Sequence, residues 1–194
     1  MATTTNVYTG SDGTLVLSDE TGAEGEDGRR AMDFYELRTV GRVTGVEIHV
    51  QTGLQEYHEV GIRHAVSLHP GNIHVSGRIT RAHINGGLLA LLLGRGSALT
   101  TIPEPYAQPS FGMQVQLLAP AFPEKGTALV LLGVKLENWS FAMPEEDFVM
   151  ENVTFRALSI RVAGLSGGGE GGGGGEGGGL VAEGPEFPSG AATA

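Results

Sequence analysis

The sequence predicts a mainly β domain of the sandwich or barrel type, with one short α-helix and an extended arm at each end. Three observations lead there. Apolar and polar residues alternate with period two in runs between residues 40 and 162, the pattern of half-buried strands. A single segment carries helix start and stop signals. The two ends, 1–28 and 165–194, carry acids but no Lys or Arg, and the second is a glycine tract. The expected division is an acidic N-terminal arm over 1–28, a β domain over 29–164 and a glycine-rich C-terminal tail over 165–194.

Taken in order, Val40, Val46, Ile48 and Val50 share one face with Glu47 and His49 opposite, and Gly41 and Gly45 interrupt the front as at a bulge. The stretch from Val43 to Ile62 reads as a long hairpin arm reaching an adjacent subunit. Ile73, Val75, Gly77 and Ile79 then alternate with His74, Ser76, Arg78 and Thr80. Asn85 can cap a helix, Leu88 to Leu93 are apolar on every face, and Gly94 is a suitable stop. A helix apolar all round must be buried all round, which calls for a second layer or a neighbouring subunit. Phe111, Met113, Val115 and Leu117 alternate with Gly112, Gln114 and Gln116, and from Thr127 to Glu137 both faces are apolar, as in a strand covered on both sides. Trp139, Phe141 and Met143 lead to the polar tip Pro144-Glu145-Glu146-Asp147, from which a strand returns over 148–162.

Composition narrows the function. The net charge is −10, yet residues 29–164 hold 12 of the 22 acids against all 12 Lys and Arg, so the middle is neutral and the excess lies in the ends. No basic footprint for phosphate results, which argues against tight nucleic-acid binding. With 0 Cys, thiolate metal sites and disulfides are excluded. The first residues, MATTTNVYTGSDG, have neither the basic start nor the apolar core of a signal peptide, and the leucine run is too short to span a bilayer, so a soluble protein is expected. The tail, LSGGGEGGGGGEGGGLVAEGPEFPSGAATA, reads as flexible, with Leu180, Val181 and Phe187 as apolar anchors along neighbouring subunits.

His49, His58, His64, His69, His74 and His83 all fall within 35 residues, but no His-x-His pair occurs, and His49, His74 and His83 occupy polar strand positions. GLSGG at 164–168 matches a nucleophile elbow formally, but polyglycine follows where a helix is required. Glu145, Glu146 and Asp147 sit at a turn tip where hydration is the default. No catalytic, cofactor-binding or metal residues are assigned.

Two blocks carry a family resemblance. The stretch YHEVGIRHAVSLHPGNIHVSGRITRAHINGGLLALLLG resembles the central motif of phage tail tube proteins, matched by Val60, Gly61, Pro70, Gly71, Ile73, Gly77, Ile79, Thr80, Arg81, Ile84, Asn85, Gly86, Leu88 and Leu89. The segment WSFAMPEEDFVMENVTFRALSIR is similar to that family's closing hairpin, through Phe148, Val149, Glu151, Val153, Phe155, Ala157, Leu158 and Ile160. The resemblance implies a virion structural protein without enzymatic activity. Its copies would form hexameric rings with strands joined in a continuous inner barrel, and the rings would stack into a tube through which the genome passes during ejection. Partners so implied are other copies of the chain, a sheath if the tail contracts, a tape measure, baseplate or tip proteins and a terminator. DNA would transit the lumen without tight binding, and the protein would assemble in the host cytoplasm without membrane insertion. Expected subunit-interface residues are Val46, Ile48, Val50, Arg78, Arg81, Asn85, Gly86, Leu88 and Leu92, with Arg78 and Arg81 in inter-subunit ion pairs. Three alternatives stand beside this reading: the inner tube of a contractile injection system, a His-dependent metal-binding β-barrel enzyme, and a virion decoration or sugar-binding module.

Overall fold

The computed structural model describes residues 8–94, 107–118 and 126–165. The anchors Leu180, Val181 and Phe187 lie outside them. Among the described residues seven strands and two α-helices follow in the order β1 (Gly13–Ser18), α1 (Ala23–Phe34), β2 (Val43–Tyr57), β3 (Ser67–Ala82), α2 (Gly87–Leu93), β4 (Phe111–Leu117), β5 (Gly126–Ala142), β6 (Met150–Ala157) and β7 (Ser159–Leu165). The strands form one curled sheet ordered β1-β4-β5-β6-β3-β2, with β7 also on β5. All paired neighbours are antiparallel.

β5 belongs to both halves of that sheet. Its first part, Gly126–Leu132, pairs with β7, and the overlapping stretch Thr127–Val134 pairs with β4. Its second part, Lys135–Ala142, pairs with β6, which leads to β3 and β2. The change of partner is made at Gly133, whose φ of 63° lies in the left-handed region that glycine adopts without penalty. The Gly133 amide, freed from the ladder, donates to the Glu20 carboxylate, and the Leu158 amide donates to the Leu132 carbonyl at 3.0 Å. The return strand expected over 148–162 is therefore two strands, β6 and β7, divided where Leu158 bulges outward.

The concave side of the sheet holds the core. Leu15, Leu17, Phe111, Met113, Leu131 and Val134 from one half meet Val75, Ile79, Leu136, Val153 and Phe155 from the other, with Met32, Leu88 and Leu91 supplied by the helices. Each fully buried side chain of this size contributes roughly 1.5–3 kcal/mol of transfer free energy.

The helices depart from the expectation of one helix and of an arm over 1–28. Residues from Gly13 onward are part of the domain: β1 buries Leu15 and Leu17, and α1 buries Met32. Gly25 and Gly28 make α1 look like a loop in sequence, but both are buried. A Cβ on Gly28 would strike the Ser110 carbonyl, and the Ser110 amide donates to the Glu24 carbonyl at 3.1 Å, so this helix packs backbone against backbone. Arg38 clamps the end of α1 to the end of β1 through Asp33 (2.9 Å) and Asp19 (3.0 Å), and these hydrogen bonds raise its pKa above the usual arginine value. The all-apolar α2 finds its second layer inside the chain: Gly87 abuts Tyr35 and Leu37, and β5 supplies another wall.

Candidate assembly surface

Strand register sorts the β2-β3-β6-β5 half of the sheet into two chemically different faces. On the convex face Glu47 stands beside Arg78 and Thr154, His49 beside Ser76 and Arg156, Gln51 beside His74, and Thr80 beside Asn152 and Ser140. Every one of these side chains is polar and none is buried. Thr80 donates to Asn152 at 2.8 Å, Asn138 to Thr154 at 3.1 Å, and Arg156 to Glu137 at 2.8 Å. Glu47 and Glu137 offset Arg78 and Arg156 on this face, so it has hydrogen-bonding capacity without a field of one sign.

The concave face of the same strands is apolar and incompletely covered. Val46 and Ile48 pack half-buried against the core, while Val50 is 52 % exposed and Ile73 66 % exposed. Val162 on β7, in register with Leu129, is 60 % exposed. The core thus runs out before its apolar walls do. Along the outer edge of β2, from Val43 to Tyr57, no strand pairs among the described residues, and Leu136–Ala142 of β5 pairs only with β6. A 15-residue unpaired edge is a template for a further strand. Beyond Val50 the β2–β3 hairpin projects past the core with Leu54, Tyr57, Val60, Ile62, Val66 and Leu68 all exposed or partly so.

At the other end of this sheet the concave face carries a buried polar cluster. Arg81 continues the inward phase of Val75, Gly77 and Ile79 and is 1 % exposed, and Glu151 facing it is 0 % exposed. Arg81 Nε donates to Glu151 Oε1 at 2.5 Å, Trp139 Nε1 donates to Glu151 Oε2 at 2.9 Å, and His83 Nδ1 lies 3.4 Å from the same oxygen. The His83 ring stands edge-on to Phe141 at 5.0 Å. Asn85 completes the cluster: its Oδ1 accepts from Gly87 N–H at 3.2 Å and from Arg81 at 3.4 Å, and its Nδ2 donates to the Tyr35 carbonyl at 3.2 Å. Buried charges persist only when paired and hydrogen-bonded, which this carboxylate is on both oxygens.

These positions revise the expected interface. Arg81 is committed to Glu151 within its own chain and is not available for an ion pair with a neighbour. Leu88, 1 % exposed, belongs to the internal core for the same reason that α2 needs no outside cover. Asn85 does stabilise the first turn of α2, from the position preceding the N-cap Gly86. Arg78, Val46, Ile48, Val50, Gly86 and Leu92 retain some exposure. Glu151 lies 70 residues from Arg81, so no local pattern pairs them; the one local signal is that Arg81 falls in phase with the buried positions. Among the described residues no group of three or more His, Asp or Glu is placed to hold a metal ion, and no helix is long and apolar enough to cross a membrane. His49, His58, His64, His69 and His74 are all exposed on β2, β3 and the loop between them.

No protein-family model and no curated protein matches the sequence. Solved structures do match its fold. A chain of the sheath-tube complex of an extracellular contractile injection system, PVC, in its extended state, superimposes with a TM-score of 0.55 at 9 % identity, over 85 % of this chain and 95 % of that one. The tube-terminating cap of the anti-feeding prophage gives 0.56 at 9 % identity, over 85 % and 100 %. The SPP1 tail tube gives 0.54 at 12 % identity, over 83 % and 81 %. The chain has the fold shared by tail tube and injection-system tube proteins.

Proposed function

We propose that this protein is a structural, non-enzymatic tail tube subunit. Copies close into hexameric rings, and the rings stack into a tube whose lumen conducts the genome during ejection. The observation that carries this reading is the pairing of an unpartnered edge on β2 with a two-faced sheet. Adding the β5 edge of one copy to the β2 edge of the next extends the sheet around a ring and covers both of those edges. The polar, charge-balanced convex face then lines the bore, where DNA slides without the counterion release that binds it to basic surfaces. Val50, Ile73 and Val162 gain cover from the adjoining copy, and the β2–β3 hairpin reaches a neighbouring subunit.

In this reading the protein belongs to a virion tail assembled in the host cytoplasm. Its partners are further copies of itself, a sheath if the tail contracts, a tape measure, a baseplate or tip and a terminator. The likeness to the PVC and anti-feeding prophage assemblies supports a second reading, the inner tube of a contractile injection system, with the same architecture and a different cargo. Negative-stain electron microscopy of concentrated, metal-free protein tests both. Rings or tubes with a central channel are expected, and a protein that stays monomeric even when supplied with preformed rings or an initiating complex would overturn them.

A further inference from the structure

A groove of about 440 Å³ opens between the start of β1, the end of β4 and the start of β2. Leu15, Val115, Leu117, Val43 and Val46 give it apolar walls, and Arg42 is the one charged residue among its described lining. Arg42 has no carboxylate partner among the described residues, and its backbone is held in the left-handed region at φ 58°. An apolar slot this size with a single unpaired cation suits an apolar segment that carries an acid nearby.

We propose that the segment Leu180–Phe187 of the chain docks in this groove of its own subunit. Leu180 and Val181 fill the apolar slot, and Glu183 or Glu186 meets Arg42. Reach supports the assignment. Leu165 pairs with Gly126, Thr127 with Leu117, and Leu117 with Gly13, so β7 ends at the same end of the sheet as the groove. Three strand spacings separate them, about 14 Å. The chain from 166 to 179 has 11 glycines among its 14 residues, and a linker of that composition and length has a root-mean-square span of about 20 Å. A linker of that span is long enough for Leu180 to reach the groove. Charge agrees, since residues 165–194 carry four acids and no Lys or Arg. The assignment does not depend on ring formation.

Because the chain has no native cysteine, an engineered pair reports docking directly. Thr14→Cys, at the exposed groove wall, is combined with Ala182→Cys in the full-length protein. The control pair joins Ala182→Cys to His74→Cys on the polar face. At dilute protein concentration the groove pair is expected to form an intrachain disulfide about tenfold faster than the control, beyond the effective concentration that tethering alone provides. Adding Leu180→Asp and Val181→Asp should remove that advantage, and Arg42→Glu should reduce it most at low salt. Equal rates for the two pairs would overturn the proposal. A disulfide forming only between chains would overturn it as well, because the occupant would then be the tail of a second copy.

Discussion

Arg81 and Glu151 lie 70 residues apart in sequence and meet fully buried on the concave face, where Glu151 also accepts the indole N–H of Trp139. Two adjacent strands and a third, β5, are thereby joined by one carboxylate. Arg81→Met leaves that carboxylate short of its main partner, and a loss of about 3–5 kcal/mol is expected. Pairing it with Glu151→Leu should recover a substantial part, a coupling of roughly 1–3 kcal/mol in the double-mutant cycle. Urea unfolding followed by the fluorescence of Trp139 measures both; strictly additive losses would show that the two side chains do not act together.

Glycine to alanine in a helix interior ordinarily stabilises by roughly 0.5–1 kcal/mol. For Gly28 the opposite sign is expected, a loss of about 1–3 kcal/mol, because the new methyl meets the backbone of buried Ser110, which cannot give way. Gly133→Ala should cost about 1–2 kcal/mol for its left-handed backbone. The side chain it would strike, Leu158, is 86 % exposed and free to turn aside. Thermal unfolding of the two variants tests the ranking, with Gly28→Ala the more damaged.

Val50→Lys places a charge on the exposed continuation of the apolar face beside the β2 edge. Monomer stability should stay within about 0.5 kcal/mol, as for surface substitutions generally, while rings and tubes disappear from micrographs. Normal assembly by this variant would remove β2 from the proposed seam.

If the five exposed histidines are solvated and His83 serves Glu151 rather than a metal, chelator and added zinc should leave the melting temperature unchanged. A rise with stoichiometric zinc, lost in His74→Ala or His83→Ala, would revive the metal-dependent alternative.

Strand positions were legible because a half-buried strand writes its burial into alternate residues, as Val75, Gly77 and Ile79 do against His74, Ser76 and Arg78. The two-sided apolar stretch of β5 likewise marked a strand but not its cover, since Leu132 is 41 % exposed. α1 was not legible, since the contact that fixes it is made by the backbone at Gly28 and by Ser110, far along the chain. Nor was the fate of Arg81: its phase pointed inward, but only the fold brings Glu151 to it. Whether a polar strand face looks at solvent or into a bore is equally absent from local pattern, because it depends on where a second copy lies.

The sharing of β5 between both halves of the sheet has a mechanical meaning. A strand common to two ladders transmits twist between them, so a tilt of the β1-β4-β7 wall must alter the pitch of the β2-β3-β6 wall. Gly133 is the pivot of that shared strand. A displacement of one wall would be felt in the other, and the two walls should melt together, with the amides of β5 the last to exchange with solvent.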